Sequence, residues 1–254
     1  MKTHIFASTV ILACTLCASV MAMSGGTTAE QGALWHGDTT KPQEYAYDGG
    51  PHMFSLGVSI LQQKREVDLG GFGAGKVDWK TSDSLGYVGF DVFPWWTLLA
   101  GVGESKLHFM GASYGGDAEW MAGTQVRLLD YFILDPIIGE EPYWLSVQAG
   151  LQFLKSSTST DFSGDVDWHE WNGSLTFHLT SRPERYGFLH QIGIYVGPAF
   201  STINGKQSGQ DFNDSKSFGF IGGLTLNPSD NVAINLEVQD FEDTSFGASI
   251  GFHF

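Results

Sequence analysis

The sequence predicts an all-β chain folded as a closed antiparallel meander of about ten strands, with eight or twelve as the nearest alternatives. Three observations carry that prediction. Glycine makes up 33 of 254 residues, and each glycine in a helix interior costs ~1 kcal/mol, so a helical bundle is disfavoured. Apolar side chains recur with a period of two, the signature of a strand with two unlike faces. No stretch of helical period separates these runs, so consecutive strands pair antiparallel.

Composition narrows the class. Charged residues are 16% and aromatic residues 14%, the reverse of a disordered chain, which is rich in charge and poor in rings. With 13 basic against 28 acidic residues and a net charge of −15, nucleic acid is excluded as a partner.

The first element is an address. Lys2 precedes an apolar stretch from Ile5 to Val20, and Val20-Met21-Ala22 offers small or modest residues before a cleavage after Ala22. This is the pattern of a secretory signal peptide over residues 1–22. Ser8, Thr9, Thr15 and Ser19 and the short length argue against a membrane-anchoring helix. Ile11-Leu12-Ala13-Cys14 loosely resembles a lipoprotein cleavage site, with Leu12 one place too close to the cysteine. Cys14 and Cys17 both lie in this segment, so the chain beyond Ala22 must be held without disulfides. No later stretch is long and apolar enough for a membrane helix; the most apolar, Val92–Val102, is broken by Pro94 and Thr97. Residues 23–50 are polar, glycine-bearing and without period, and read as an N-terminal extension.

From Pro51 to the end the chain alternates. Phe54, Leu56, Val58 and Ile60 share one face; so do Leu145, Val147, Leu151 and Phe153; so do Trp171, Leu175, Phe177 and Leu179; so do Ile192, Ile194 and Val196; so do Val232, Ile234, Leu236 and Val238. The strands are expected at about 52–64, 82–93, 95–108, 118–129, 143–155, 167–180, 187–200, 217–227, 231–240 and 245–254. Long polar links (Arg65–Thr81, Ser156–Val166, Ser201–Lys216) alternate with short ones (Pro94, Ser181–Tyr186, Pro228–Asp230). Asp130–Pro142 is a long exception and Phe241–Thr244 a short one.

The face opposite the apolar one decides which side is outside. In a soluble sheet it meets water and carries many Lys, Glu and Arg. Here it carries mostly Gly, Ser, Gln, Asn and Thr, which suits a narrow enclosed lumen with the apolar face turned to lipid. Aromatics gather at strand ends: Phe93, Trp95, Trp96, Tyr131, Phe132, Tyr143, Trp144, Tyr186 and Phe188 at one level, Trp79, Phe109, Trp120, Trp168 and Trp171 at the other. Two such belts are what the two interfaces of a bilayer select.

The last strand is the most specific signal. Phe246, Ala248, Ile250, Phe252 and the final Phe254 alternate with Gly247, Ser249, Gly251 and His253. This resembles the terminal strand of bacterial outer-membrane β-barrel proteins, and the alternation over 51–254 is similar to that of the small OmpA-like or OmpW-like barrels. The resemblance implies an outer-membrane location, outer-membrane lipid as surroundings, and recognition by the barrel assembly machinery through the strand ending at Phe254. It also implies that residues 23–50 are periplasmic, that 51–254 are the barrel, and that the long links face outside the cell.

Motifs that suggest chemistry fail on context. Gly70–Lys76 has the glycine and lysine spacing of a phosphate-binding loop, but Val77 stands where Ser or Thr must ligate Mg²⁺. His169-Glu170 lacks the second histidine of a zinc protease, Gly173 standing in its place. Gly111–Gly115 matches a nucleophile elbow, with His108 and Asp117 nearby, yet falls between two strands rather than before a helix. His178-Leu179-Thr180 is the nearest approach to the His-x-Ser pair of outer-membrane lipid hydrolases. Asp161, Asp165 and Asp167, and Asp211, Asn213 and Asp214, read as solvated loop charge. No catalytic, cofactor-binding or metal-binding residue is expected, and no cofactor. By parity Asp91, Glu119, Arg127, Glu170 and Glu237 point inward, with Arg127 meeting one or two of the carboxylates. The expected role is structural or interactive, with a polar, largely filled lumen. A narrow pore for small solutes is the alternative, and a lipid-modifying hydrolase is the third.

Overall fold

In the computed structural model, the structure describes residues 35–36, 54–69, 75–93, 95–133, 143–158, 165–181, 189–207, 209–214, 217–229 and 231–254. The signal peptide, most of the 23–50 extension, residues 70–74, Asp161, Tyr186 and Phe188 lie outside them. The described strands are β1 (Trp35–His36), β2 (Phe54–Leu69), β3 (Lys76–Phe93), β4 (Trp96–Phe109), β5 (Ala112–Ile133), β6 (Tyr143–Thr158), β7 (Val166–Ser181), β8 (Gln191–Gln207), β9 (Gln210–Asp214), β10 (Phe218–Ser229), β11 (Val232–Asp240) and β12 (Thr244–His253).

Ten of these close a ring. Each strand from β2 to β8 pairs antiparallel with the next, β8 pairs with β10, β10 with β11, β11 with β12, and β12 with β2. The start of β2 and the last residue meet at one rim, where Phe254 N donates to Phe54 O at 2.9 Å. We call this the terminal rim and the opposite one the far rim. The two-residue turn from β4 to β5 at the far rim places Met110 (φ 51°) and Gly111 (φ 77°) in the left-handed region, as a right-twisted hairpin requires. The two strands outside the ring patch its edges. β1 runs parallel to β5, Trp35 beside Leu129 and His36 beside Asp130, where β5 extends past the start of β4.

β9 makes the larger difference. It folds back from β8 and pairs on its other edge with β2, Val67 opposite Asp214 and Leu69 opposite Phe212. β10, β11 and β12 have only 12, 9 and 10 residues, against 14 to 22 for β2 to β8. The wall they make stops short, and above it β9 closes β8 to β2. The barrel therefore has ten strands toward the terminal rim and a collar of eight toward the far rim.

Polarity inverts at the same level. Below it, the outward side chains are apolar: Phe54, Leu56 and Val58 on β2, Leu151 on β6, Leu175 and Phe177 on β7, Ile194 and Val196 on β8, Phe246 and Phe252 on β12. The inward ones there are small and polar, such as Ser55 and Ser59, Ser146, Gln148 and Gln152, Thr176, Asn235 and Ser249. In the collar, Glu66 and Lys64, Asp78 and Lys80, Glu104 and Lys106, Asp167 and His169 face out. Val67, Leu69, Trp79, Leu107, Phe109, Tyr114, Val166, Trp168, Ile203 and Phe212 fill its interior as one cluster. The alternation never stops along β2; the apolar set merely moves from even positions (54–60) to odd ones (67–69).

Two expectations change here. Arg65–Leu69, Lys76–Thr81, Ser201–Gln207 and Gln210–Asp214 are strand rather than polar link. A period-two pattern whose apolar phase slips by one looks, residue by residue, like the end of a strand. Trp79, Phe109 and Trp168 are not belt residues; they pack inside the collar, with the Trp79 ring 5.3 Å from Phe109, 5.2 Å from Trp168 and 5.1 Å from Phe212. Other belt residues do face outward. Phe93, Trp95 and Trp96 stack at the terminal rim, and Trp120, Phe153 and Trp171 form a contiguous outward group just below the collar.

One glycine is required by close approach. The Tyr87 ring lies across Gly57, opposite it in register, and a Cβ at Gly57 would collide with that ring. This lets a large side chain lie flat inside a narrow barrel.

Between the last β12 pairing and the first β9 pairing, β2 has no strand partner on that edge. Side chains of the β11–β12 hairpin take over: Lys64 N donates to Ser245 Oγ at 3.2 Å and Glu66 N to Glu242 Oε2 at 3.1 Å. In Glu242→Ala the Glu66 amide loses its acceptor, a cost of about 1 kcal/mol. Hydrogen exchange should then be roughly fivefold faster at Glu66, with the amide of Ser59, inside the β2–β12 ladder, unchanged as the internal control.

Candidate functional site in the barrel interior

Below the collar the interior holds a charged layer. Arg65, on β2, is almost wholly buried. Its Nη1 donates to Asp214 Oδ2 at 2.7 Å, its Nη2 lies 3.4 Å from Glu170 Oε1, and its guanidinium carbon sits 4.1 Å from the centre of the Phe241 ring. The planar fork of arginine can serve two carboxylates while stacking on a ring, which a lysine ammonium cannot do. Glu170 Oε1 also accepts from Gln63 Nε2 at 2.9 Å and from Ser201 Oγ at 2.7 Å. Asp214 closes β9, Glu170 is on β7, and Phe241 is in the β11–β12 turn. One side chain thus ties together the elements that meet where ten strands become eight.

Further carboxylates surround this hub. Asp83 accepts from Thr81 Oγ1 at 3.0 Å and from Ser105 Oγ. Glu237 accepts from Tyr195 Oη at 2.7 Å and from Gln239 Nε2 at 2.8 Å. Glu119 is buried and its Oε2 has no hydrogen-bond partner. Toward the terminal rim the lumen holds a cavity of about 20 Å³ among Gln125, Gln148, Gln152, Asn172, Thr176 and Tyr195. That is room for a water or so, and the aromatic cluster of the collar stands between it and the far rim.

The inward charges expected from the sequence are partly in place. Glu119, Glu170 and Glu237 are buried in the interior. Arg127 does not meet them. Its Nη1 pairs with Asp130 at 3.4 Å, near the terminal rim, while Asp91 accepts from Thr97 Oγ1 at 2.5 Å. The cation that serves the buried carboxylates is Arg65, and Asp214, whose sequence context reads as solvated loop charge, has a side chain only 2% exposed. Both residues lie in segments whose composition resembles a polar link. The signal that finds Arg65 is parity, since it continues the inward series Ser55, Ser59 and Gln63 without a break; Asp214, on the separate strand β9, has no such signal.

The other motifs separate. His169 faces out and Glu170 in, so they share no site. His178 is buried, accepts or donates at 2.8 Å with Thr176 Oγ1, and stacks on Tyr195 at 4.9 Å. His108 Nδ1 and Ser113 Oγ do meet, at 2.9 Å, on the exposed surface beside the β4–β5 turn. They are cross-strand partners in register, and among the described residues no carboxylate bonds the other ring nitrogen. Among the described residues no group of His, Cys, Asp and Glu is arranged to hold a metal ion.

No protein-family model and no curated protein sequence matches the chain. Among solved structures it is similar to the translocator domain of the autotransporter NalP from Neisseria meningitidis (10% identity, 82% of this chain and 90% of that one, TM-score 0.38). It is also similar to the outer membrane protease OmpT from Escherichia coli (14%, 80% and 95%, TM-score 0.35), and to an outer membrane channel from Pseudomonas putida F1 (10%, 85% and 100%, TM-score 0.36). The fold rests on the strand pairing described above, not on these likenesses.

Arg65→Met should take the guanidinium charge away from the buried carboxylates of Asp214 and Glu170, and unfolding by guanidinium should show a loss of about 3–5 kcal/mol. Lys106→Met, which breaks an exposed pair with Glu104 at 3.7 Å, should change stability by about 1 kcal/mol or less.

Proposed function

We propose that the chain is an outer-membrane β-barrel with a structural or interaction role, exported through its signal peptide. Its interior is closed, and its collar and far-rim loops stand outside the cell. The observation that carries this reading is the outward apolar band. On β6, β7, β8 and β12 it runs over 145–153, 171–179, 192–200 and 246–254, stretches of about nine residues, near the ~9–11 that a tilted strand uses to cross hydrocarbon. A sheet in lipid must pair all its backbone groups within itself, and this one is closed at both levels. Placement among the small OmpA-like or OmpW-like barrels rests on the alternation over 51–254, and assembly through the strand ending at Phe254 on the terminal strand. In this reading outer-membrane lipid is the standing partner, and no enzymatic activity is assigned. The His108–Ser113 pair is an exposed hairpin contact, and among the described side chains no carboxylate orients its imidazole as a nucleophile's base needs.

The test is electrophoretic. The chain refolded in detergent should migrate differently before and after boiling and should partition with membranes. Identical mobility together with recovery in the aqueous fraction would remove the membrane assignment.

A narrow pore for small solutes is the second reading, favoured by the polar cavity in the ten-strand part. The aromatic cluster above it opposes axial passage. In planar bilayers the folded chain should give no unitary conductance steps. Reproducible steps in the unaltered protein would favour the pore.

A further inference from the structure

One outward row of the collar differs from the rest. Lys155 on β6, His169 on β7, Asn204 on β8 and Asn213 on β9 are direct cross-strand neighbours, all exposed, and Trp120 on β5 adjoins Lys155 at the other end. Neighbouring side chains in such a row stand about 5 Å apart. They border a groove of about 660 Å³ on the outer surface. The row immediately toward the terminal rim is apolar: Phe153 and Trp171, with ring centres 4.8 Å apart. The apolar rings therefore begin one row below the groove.

Its charge is distinctive. Lys64, Lys76, Lys80, Lys106 and Lys206 each lie within 4.0 Å of a carboxylate, Asp243, Glu66, Asp78, Glu104 and Asp211 respectively. Among the described collar lysines, Lys155 alone has none. The two carboxylates of the groove, Asp167 and Asp211, sit one row farther from the apolar band, and Asp211 is engaged by Lys206 at 3.5 Å. Where it borders the groove, the first row above the apolar surface thus presents an ammonium, an imidazole and two carboxamides, all able to donate; its acid, Asp68 on β2, pairs with Asn213 at the end of the row away from Lys155.

We infer that this groove holds the phosphate of an anionic lipid headgroup, with Lys155 as the principal contact, His169 and the two asparagines as further donors, and an acyl chain lying on Phe153 and Trp171. The inference rests on the membrane reading above. An ammonium and convergent donors suit a phosphate oxyanion, and rings directly below suit the chain attached to it. A free phosphate would find the donors but would gain nothing from the rings.

The folded chain is placed in phosphatidylcholine nanodiscs with and without phosphatidic acid, and retained lipids are counted by native mass spectrometry. The unaltered protein should retain phosphatidic acid in preference to phosphatidylcholine. The Lys155→Gln/His169→Gln variant should lose at least about tenfold of that preference, equivalent to about 1.4 kcal/mol, and Lys106→Gln should keep it. If the double variant does not fold, Lys155→Gln alone is read in its place. Excess inorganic phosphate should leave the lipid bound. Equal retention in the Lys155 variants, an equal loss in Lys106→Gln, or displacement by inorganic phosphate would each overturn the inference. A chain that enters nanodiscs without a preference fails here only, whereas one that stays in the aqueous phase fails the membrane reading as well.

Discussion

A closed sheet must pair its backbone along its whole height, and this one closes at two levels while its surroundings change along its axis. Where the outer face is apolar, ten strands enclose a polar interior. Where the outer face carries Lys, Asp and Glu, eight strands enclose rings and aliphatic chains. The inversion is what a single sheet needs if its lower part stands in hydrocarbon and its upper part in water. It also explains the change in strand number. Polar small residues tolerate a wider, partly hydrated lumen, whereas a dry core must be packed to close contact. Dropping β10–β12 and inserting β9 reduces the circumference at the level where the interior becomes dry.

The junction between the two levels is the hard part of such a design. A strand edge is exposed there, and an interior that is polar on one side meets one that is apolar on the other. Arg65 addresses both problems. Its side chain spans from Phe241 in the hairpin that closes the ten-strand wall to Asp214 at the end of the strand that closes the collar. A buried guanidinium is costly unless its charge is matched, and here carboxylates from β7 and β9 meet Nη2 and Nη1 and a ring face covers the plane, while Nε has no hydrogen-bond partner among the described residues. Glu242 and Ser245 then complete the edge of β2 from outside. No disulfide is needed, because the covalent role is taken by closure and by this set of side chains.

Much of this was legible in the residues. Antiparallel meander, ten strands in the ring, and the apolar face turned outward all follow from a period of two with Gln, Ser and Gly on the opposite face. Leu151, for example, is 42% exposed while its neighbours Gln152 and Ser156 are 8% and 2% exposed. The collar was not legible in the same way, for a physical reason. A rule that assigns a strand by the phase of its apolar residues assumes one environment per face, and β2, β3, β7 and β8 pass through two. Val67, Trp79, Trp168 and Ile203 therefore looked like belt or loop residues, and Arg65 and Asp214 like solvated charge. Following parity rather than hydrophobicity along each strand places Arg65 and Val67 on β2, Trp79 on β3, Trp168 on β7 and Ile203 on β8 inside; Asp214, on β9, has no such series to follow. The pairing of β9 with β2 was beyond the sequence, since five residues between polar segments carry no mark of a partner so distant along the chain.

The collar core also bears on what the interior can do. Trp79, Phe109, Trp168 and Phe212 are each nearly or wholly inaccessible to solvent, and burying one large apolar side chain is worth about 1.5–3 kcal/mol. An axial passage would have to expose several of them and break the Arg65 set beneath. The total, roughly 6–12 kcal/mol for the four rings alone, is comparable to the whole ~5–15 kcal/mol that holds a typical domain folded. A gate of that cost would open about as seldom as the barrel unfolds. On the structural reading proposed above, the interior supports the collar, and the surfaces free to act are those outside it: the outward rows at the polarity boundary and the far rim.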